Sequence, residues 1–283
     1  MTTSKTPTQT TATIPSITTC QSLWDKAYPV IIKETEKHPF LVSMVDGTLE
    51  ENNFRYYVQQ DVLYLKDFIY CLRQLSLKKA STPKDRKLLC DLADGAEEVE
   101  IALHQSYIKQ WNTNGEQQEQ QQMPNTLLYT SYMRRIIDGS DTTYGEGLAA
   151  LLPCFWVYMH VGNCMLKLRD ELDKTNNNDS SNQLLRPKHF NDWIDTYAGD
   201  EFENDVNNYI QLVNEELQRI QTTKQTTQND TTTTTAPDVN DDNDNKMNEE
   251  LKQIEDHFMM ACKLEHMFWD QAITMMEWPA TTI

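Results

Sequence analysis

The segment TLEENNFRYYVQQDVLYLKDFIYCLRQLSLKK (48–79) decides the fold class of this chain. Its apolar residues recur at the three- and four-residue spacing of one helix face: Phe54, Tyr57, Val58, Tyr64, Leu65, Phe68 and Leu72. Thr48 followed by Glu51 matches a capping box, so the pattern predicts one amphipathic helix over residues 49–79. We expect its apolar face to point into a helical bundle.

One charged residue, Asp61, lies in the middle of this apolar face. A carboxylate in such a place must be hydrogen-bonded or have a shifted pKa, because burying an unpaired charge is unfavourable. Tyr64 follows one turn later on the same face. Considered alone, Asp61 fits a structural polar residue better than a catalytic one.

Two other predicted helices have a polar residue on an apolar stripe. In the last helix Glu265 interrupts this stripe: Leu251, Ile254, Phe258, Ala261, Phe268, Ala272 and Met275. Another stripe contains a cysteine: Gly147, Leu151, Cys154, Tyr158, Val161 and Met165. A buried cysteine is usually a small apolar residue, but Pro153 removes a backbone donor and opens space beside Cys154. We expect Asp61, Cys154 and Glu265 to converge on a polar pocket inside the bundle.

The remaining sequence also predicts helices and no strands. We expect helices over 21–38, 49–79, 82–111, 126–137, 141–172, 189–197, 201–221 and 246–278. Thr82 before Pro83, and Asp141, are the predicted N-caps of two of them. The predicted fold is an all-α bundle of about eight helices in one domain, residues 20–283.

Polar tracts interrupt this pattern and explain a hydrophobic content of only 39%. We expect residues 1–19 to be a disordered leader and 112–125, 174–185 and 222–245 to be polar insertions. Such tracts bury too little apolar surface to offset their chain entropy.

Charge and cysteine usage restrict the partners and the compartment. A net charge of −18 argues against nucleic acid and anionic membranes, which both attract clustered basic residues. The six cysteines have no CxxC or other metal-ligand spacing, which predicts reduced thiols. We find neither a membrane-spanning apolar run nor a signal peptide, so we expect a cytoplasmic protein; organelle import by the threonine-rich leader is the alternative.

Six sequence blocks occur in the order typical of one family. They are HPFLVSMVDGTL (38–49), FRYYVQQDVLYL (54–65), YTSYM (129–133), LAALLPCFWVY (148–158), WIDTYAGDEF (193–202) and LEHMFW (264–269). Together they resemble the TenA proteins, also called thiaminase II, over about residues 24–278. The resemblance implies a haem-oxygenase-like helical bundle, a homotetramer, and hydrolysis without a cofactor or metal.

The resemblance also implies roles for individual residues. Cys154 corresponds to the nucleophile that adds to a pyrimidine ring, Asp61 to the carboxylate that contacts the ring amino group and activates the cysteine, and Glu265 to the proton-exchanging acid. Tyr129 corresponds to a residue that positions the aspartate. The other implied pocket residues are Tyr64, Tyr158, Tyr197 and the aromatic wall Phe268.

The implied substrates are thiamin-related aminopyrimidines, and the product is 4-amino-5-hydroxymethyl-2-methylpyrimidine. Eukaryotic members of the family either keep or lack the cysteine of the LLPC block, and this chain keeps it, which favours cysteine-dependent hydrolysis. Aminomethylpyrimidine, its formyl derivative and thiamin differ only in the leaving group. The sequence does not distinguish them.

Two other functions compete with this hypothesis. The first is a non-catalytic protein that binds the pyrimidine for regulation, and the intact Cys154 argues against it. The second is a di-metal oxidase on the same bundle, with Glu97, Glu100 and His104 as ligands. The second ligand motif that such a site needs is missing from the sequence, which favours a structural role for these residues.

Overall fold

Helices make up nearly all of the computed structural model, which describes residues 17–100, 121–176, 186–229 and 239–279. We label them α1 (Cys20–Ala27), α2 (Pro39–Asp46), α3 (Glu51–Lys78), α4 (Pro83–Gly95), α5 (Pro124–Asp138), α6 (Tyr144–Asn176), α7 (Lys188–Tyr197), α8 (Asp200–Asn229) and α9 (Val239–Thr274). Helix α1 continues through a π-helical turn, Tyr28–Ile32, into Lys33–Thr35, and α4 continues into a second π-helical turn, Ala96–Glu100. The predicted all-α bundle is confirmed.

Helix α6 lies at the centre of the bundle. It packs against α7, α8 and α9, while α3 packs against α4, α5 and α9. Gly162 permits the close approach of α6 and α7, because a Cβ at this position would lie 2.6 Å from the carbonyl carbon of Tyr197. Because Gly162 has no side chain, α7 can lie close to α6, and Tyr197 lies beside the helix that contains Cys154.

The structure adds a helix that the sequence pattern did not predict. The chain does not stop being helical at Pro39; α2 begins there, and His38 is its N-cap, with Nδ1 accepting a hydrogen bond from the backbone N–H of Phe40 at 3.1 Å. Gly47 ends α2 in the left-handed region, at φ 78°. Proline at the first position of a helix is well tolerated because its missing N–H would have no partner there.

Two of the three predicted caps are wrong. The Thr48 side chain hydrogen-bonds Asp46 Oδ1 at 2.5 Å in a local turn, so α3 begins only at Glu51 and without a side-chain cap. Helix α6 begins at Tyr144, and Thr143, not Asp141, accepts a hydrogen bond from the Glu146 N–H at 3.2 Å. The cap predicted at Thr82 is confirmed, since its hydroxyl accepts from the Asp85 N–H at 3.1 Å.

The helices also extend further into the polar tracts than predicted. Helix α8 continues to Asn229 and α9 begins at Val239, so residues 222–229 and 239–245 are not loops. Residues 222–229 contain neither proline nor glycine, so no helix-breaking residue interrupts this part of α8. At the N-terminus, Thr19 caps α1 and Ile17 is buried, so the predicted leader is too long by three residues. The predictions for residues 1–16, 101–120, 177–185 and 230–238 lie outside the described residues.

Residues 144–175 of α6 are long and apolar enough to cross a membrane, a property that the sequence analysis missed. Other parts of the bundle bury 72% of the most apolar window of this helix. A helix that is apolar on all sides needs apolar contacts on all sides, so burial of this kind is typical of a core helix.

Candidate active site

A pocket lies where the inward faces of α3, α6 and α7 meet the start of α8. Its cavity volume is about 10 Å³, which is room for about one water molecule. It is lined by Asp61, Tyr64, Leu65, Phe68, Cys154, Phe155, Tyr158, Tyr197 and Phe202. The structure thus brings together five of the eight residues that the sequence analysis selected. Its walls are mainly aromatic, with a thiol, a carboxylate and three phenol groups as polar atoms.

Cys154 belongs to the central part of α6, directly after Pro153. The cysteine is half-buried, whereas Asp61 across the pocket is only 3% exposed. The hydroxyl of Tyr64 donates a hydrogen bond to Met133 Sδ at 3.7 Å. Burial, and then the neighbouring Cys154 thiol, raise the pKa of Tyr64 well above its usual value. Tyr64 therefore stays protonated beside the sulfur.

Glu265 lies behind the pocket wall, on α9. The Tyr129 hydroxyl donates to Glu265 Oε1 at 2.6 Å, and both side chains are almost fully buried. Burial raises the pKa of Glu265 to about 8, and the hydrogen bond from Tyr129 offsets part of this increase. Glu265 is thus protonated at neutral pH, which is the state that a general acid needs.

Tyr64 connects Glu265 with the pocket. The Tyr129 and Tyr64 rings lie 4.9 Å apart. Tyr64 therefore lies between Cys154 and the Tyr129–Glu265 pair. The Phe268 ring packs 5.6 Å from the Tyr64 ring, so Phe268 supports the wall from behind. The suggested role of Tyr129 in positioning Asp61 stays a prediction.

A directional chain of hydrogen bonds ends at Tyr158. The Trp193 indole N–H donates to the Tyr57 hydroxyl at 3.2 Å, and the Tyr57 hydroxyl donates to that of Tyr158 at 3.3 Å. An indole N–H can only donate, so the direction of this chain is fixed at its outer end. Because Tyr158 accepts from Tyr57, its own proton is available to another acceptor. Tyr57 and Trp193 thus have a part in the site that the sequence analysis did not recognise.

The aromatic walls are more extensive than predicted. The Tyr197 ring packs 4.9 Å from Tyr158 and 5.2 Å from Phe202. Four further residues line the walls and were not predicted for the site from the sequence: Leu65, Phe68, Phe155 and Phe202. Phe68 was recognisable only as one turn after Tyr64 on the same helix face, and Phe202 only as the end of the WIDTYAGDEF block.

The competing di-metal hypothesis is not tested by the described residues. Glu97 Oε2 accepts a hydrogen bond from Arg73 at 2.5 Å on the exposed side of α3. The side chain of Glu100 and all of His104 lie outside the described residues. The proposed ligand set stays a prediction.

Comparison with known proteins identifies the family. Residues 24–239 match the model of the TENA/THI-4/PQQC family. The chain belongs to this family. It is 27% identical to the aminopyrimidine aminohydrolase of Halalkalibacterium halodurans over 258 residues, which cover 91% of this chain and 96% of that protein. It is also 27% identical to the aminopyrimidine aminohydrolase of Bacillus subtilis, over 87% of this chain and 86% of that protein.

A solved structure supports the fold in the same way. The TenA homologue from Pyrococcus horikoshii superposes with a TM-score of 0.65 and 23% identity, covering 90% of this chain and 97% of that one. The predicted all-α fold is therefore confirmed, and so is the family assignment from the six sequence blocks. The haem-oxygenase-like class stays a prediction.

Proposed function

We propose that this protein is a hydrolase that converts 4-amino-5-aminomethyl-2-methylpyrimidine to the 5-hydroxymethyl compound, with Cys154 as nucleophile. The main supporting observation is the meeting of Cys154, Asp61 and three tyrosines in one aromatic pocket. Two relatives that match nearly the whole chain are aminopyrimidine aminohydrolases. Aromatic walls suit a flat aromatic ring, and the aminomethyl cation suits the Asp61 carboxylate. The walls must move apart to admit the ring, because the cavity has room for only about one water molecule.

The proposed reaction has two halves. In the first, Asp61 accepts the thiol proton, the Cys154 thiolate adds to the pyrimidine ring, and the electrons of the dearomatised ring expel ammonia from the exocyclic carbon. In the second, water adds to this carbon and the sulfur leaves, which restores the aromatic ring. The net reaction consumes one water and releases one ammonia.

Proton exchange is assigned to Glu265. Since its pKa is about 8, Glu265 holds a proton at neutral pH and releases it readily to a stronger base. It lies behind Tyr129, whose hydroxyl donates to it, so release of the proton toward the ring or the leaving group requires the Tyr129 hydroxyl to reverse this hydrogen bond. Tyr158 donates a hydrogen bond to a ring nitrogen, in agreement with the direction of its hydrogen-bond chain.

The decisive experiment removes the nucleophile. Cys154→Ser should reduce kcat for aminomethylpyrimidine at least about a hundredfold, because a serine hydroxyl is a far poorer nucleophile than a thiolate. Cys90→Ser is the matched control, since the half-buried Cys90 contacts Ser76, away from the pocket. Activity of Cys154→Ser within a few-fold of the wild type would contradict the covalent mechanism.

The same assay distinguishes the remaining alternatives. Measurement of kcat/KM for aminomethylpyrimidine, its formyl derivative and thiamin identifies the leaving group, and we expect aminomethylpyrimidine to be preferred. Tight binding of all three without turnover would instead indicate a regulatory pyrimidine-binding protein.

We further propose that the protein is a cytoplasmic homotetramer. The family resemblance supports the tetramer, and so do the exposed apolar side chains of Leu77, Leu127 and Leu128 on α3 and α5. Light scattering after size-exclusion chromatography measures the assembly, and a monomer would contradict the proposal.

A further inference from the structure

A second set of reactive side chains lies on α6, away from the pocket. His160 Nε2 lies 2.7 Å from Glu36 Oε1 and 3.7 Å from Cys164 Sγ. We propose that Glu36, His160 and Cys164 form a binding site for a divalent transition metal ion of the zinc type. Cys164 follows Cys154 by ten residues, which separates the two sulfurs by about 15 Å along the helix.

The arrangement around His160 is not that of a catalytic triad. In a triad the imidazole uses one ring nitrogen for the nucleophile and the other for the carboxylate. Here the thiol and the carboxylate both face the same nitrogen, Nε2. Three donor atoms that surround one point are the arrangement that a metal ion requires. In the metal-free protein a proton on Nε2 occupies this point and donates to Glu36, because a carboxylate only accepts.

The donor types and distances agree with zinc. Zinc binds cysteine sulfur, histidine nitrogen and carboxylate oxygen, and its usual bond lengths place sulfur and nitrogen about 3.6 Å apart in a tetrahedron. The observed separation between Cys164 Sγ and His160 Nε2 is 3.7 Å. The separation between nitrogen and oxygen must increase from 2.7 Å to about 3.3 Å. Rotation of the Glu36 side chain, which is 22% exposed, accomplishes this change.

The surroundings position two of the ligands and leave access for an ion. His160 and Cys164 lie one turn apart on the rigid α6, and the Trp24 ring packs edge-on against His160 at 5.0 Å. The Tyr28 hydroxyl makes a hydrogen bond with Glu36 and orients it from outside. All three ligand residues are half-buried, so an ion can enter from solvent. Bound metal would join the helical segment after α1 to α6.

A second cluster shows that suitable donor atoms alone do not make a metal-binding site. In the described part of the chain, His38, His266 and Asp270 also lie within 4.8 Å of one another. However, His38 Nδ1 accepts the hydrogen bond from the Phe40 N–H, so its Nε2 must hold the proton that points to Asp270. That nitrogen has no lone pair for a metal unless the N-cap of α2 is lost. This cluster is therefore an internal control.

Cobalt(II) is the probe, because thiolate ligation produces a charge-transfer absorption band. We expect the full-length, chelator-treated protein to bind one cobalt ion with this band and with visible bands of tetrahedral coordination. Cys164→Ser should abolish the charge-transfer band, and His160→Gln and Glu36→Gln should each weaken binding at least about tenfold. The matched controls Cys90→Ser, Cys154→Ser and His266→Gln should leave affinity and spectrum unchanged.

Thermal unfolding provides a second measurement that does not depend on cobalt spectra. Zinc should raise the melting temperature of the wild type and of the controls, and at the same zinc concentration it should raise that of Glu36→Gln less. Because the Glu36 side chain is 22% exposed, misfolding of this variant is an unsuitable explanation for a smaller shift. Absence of one-to-one binding, or a charge-transfer band that survives in Cys164→Ser and disappears in Cys154→Ser or Cys90→Ser, would overturn the proposal.

Discussion

Helix α6 presents two half-buried cysteines, Cys154 and Cys164, in contrasting surroundings. The pocket around Cys154 supplies phenol hydroxyls and a buried carboxylate within aromatic walls. The cluster around Cys164 supplies an imidazole and a carboxylate that solvent can reach. The comparison shows that neighbouring groups, and not the helix or the exposure of the sulfur, decide which chemistry a thiol can perform.

The largest effect after loss of Cys154 itself should come from Glu265. We expect Glu265→Gln to lower kcat at least about tenfold with a smaller change in KM, because the amide keeps the contacts but loses the exchangeable proton. The alkaline limb of the kcat profile, near the pKa of about 8 in the wild type, should disappear. Steady-state kinetics between pH 6 and pH 9 measure both effects. This range includes about one to two pH units on each side of the pKa of Glu265.

Glu146→Gln is the matched control for this substitution. Glu146 is also a buried carboxylate, but it contacts His257 at 3.3 Å outside the pocket. If both variants lost the same fraction of kcat, the loss in Glu265→Gln would reflect removal of a buried carboxylate and not a catalytic role of Glu265.

The contact between α6 and α7 offers the next test. Gly162→Ala should destabilise the protein by about 1–3 kcal/mol and raise KM, because the new methyl group meets the backbone of Tyr197 and displaces a pocket wall. Gly95→Ala is the control, since a Cβ there meets no atom within 4 Å and alanine favours the helix. Denaturant unfolding together with kinetics measures both; a neutral Gly162→Ala would contradict the close approach.

A smaller effect is expected at Tyr57, which positions Tyr158. Tyr57→Phe should lower kcat/KM about fivefold, the equivalent of one ordinary hydrogen bond of about 1 kcal/mol. Trp193→Phe should have a similar effect, and the double variant should lose little more, because both act through one chain. The control is Tyr132→Phe, which removes a hydroxyl that contacts His257. Fully additive losses of kcat/KM would show that the two hydrogen bonds act independently.

The last expected effect is on stability and its dependence on pH, and not on turnover. The pKa of Glu265 is raised from 4.5 to about 8 on folding, so the folded state retains a proton that the unfolded state has lost. Wild-type stability should therefore decrease between about pH 5 and pH 8 relative to Glu265→Gln, and the difference should level off above pH 8. Melting temperatures of the two proteins, measured at pH 5 and pH 8, should differ by several degrees more at pH 8.

The sequence predicted the parts of the site that follow from helical periodicity. Asp61 and Cys154 were recognisable because a polar residue on an apolar stripe is conspicuous, and the pocket unites them. Tyr57 was not recognisable, because its hydroxyl has a partner, Trp193, that lies 136 residues away in the chain. The Glu36–His160 contact, across 124 residues, was hidden for the same reason. Spacing rules detect ligands within one helix, and only the packing of helices reveals pairs between them.

The caps were harder to predict than the helices. Threonine and aspartate can bond to several nearby backbone groups, so Thr48 and Asp141 fitted the cap pattern while the chain used other residues. The apolar stripe of α3 extends over many turns and tolerates such errors at its ends. The fold was therefore more predictable than its boundaries.

The hydrogen bonds from Trp193 to Tyr158 have a consequence for any ligand that reaches the pocket. Tyr158 accepts from Tyr57 and keeps its own proton, so its best partner is a lone pair on an unprotonated ring nitrogen or an oxygen. A ligand that presents an N–H at this point would use the second lone pair of Tyr158 and leave the Tyr158 proton to find another acceptor. A buried donor without a partner costs about 1–3 kcal/mol. Under the proposed function, the unprotonated ring nitrogen of an aminopyrimidine meets this preference.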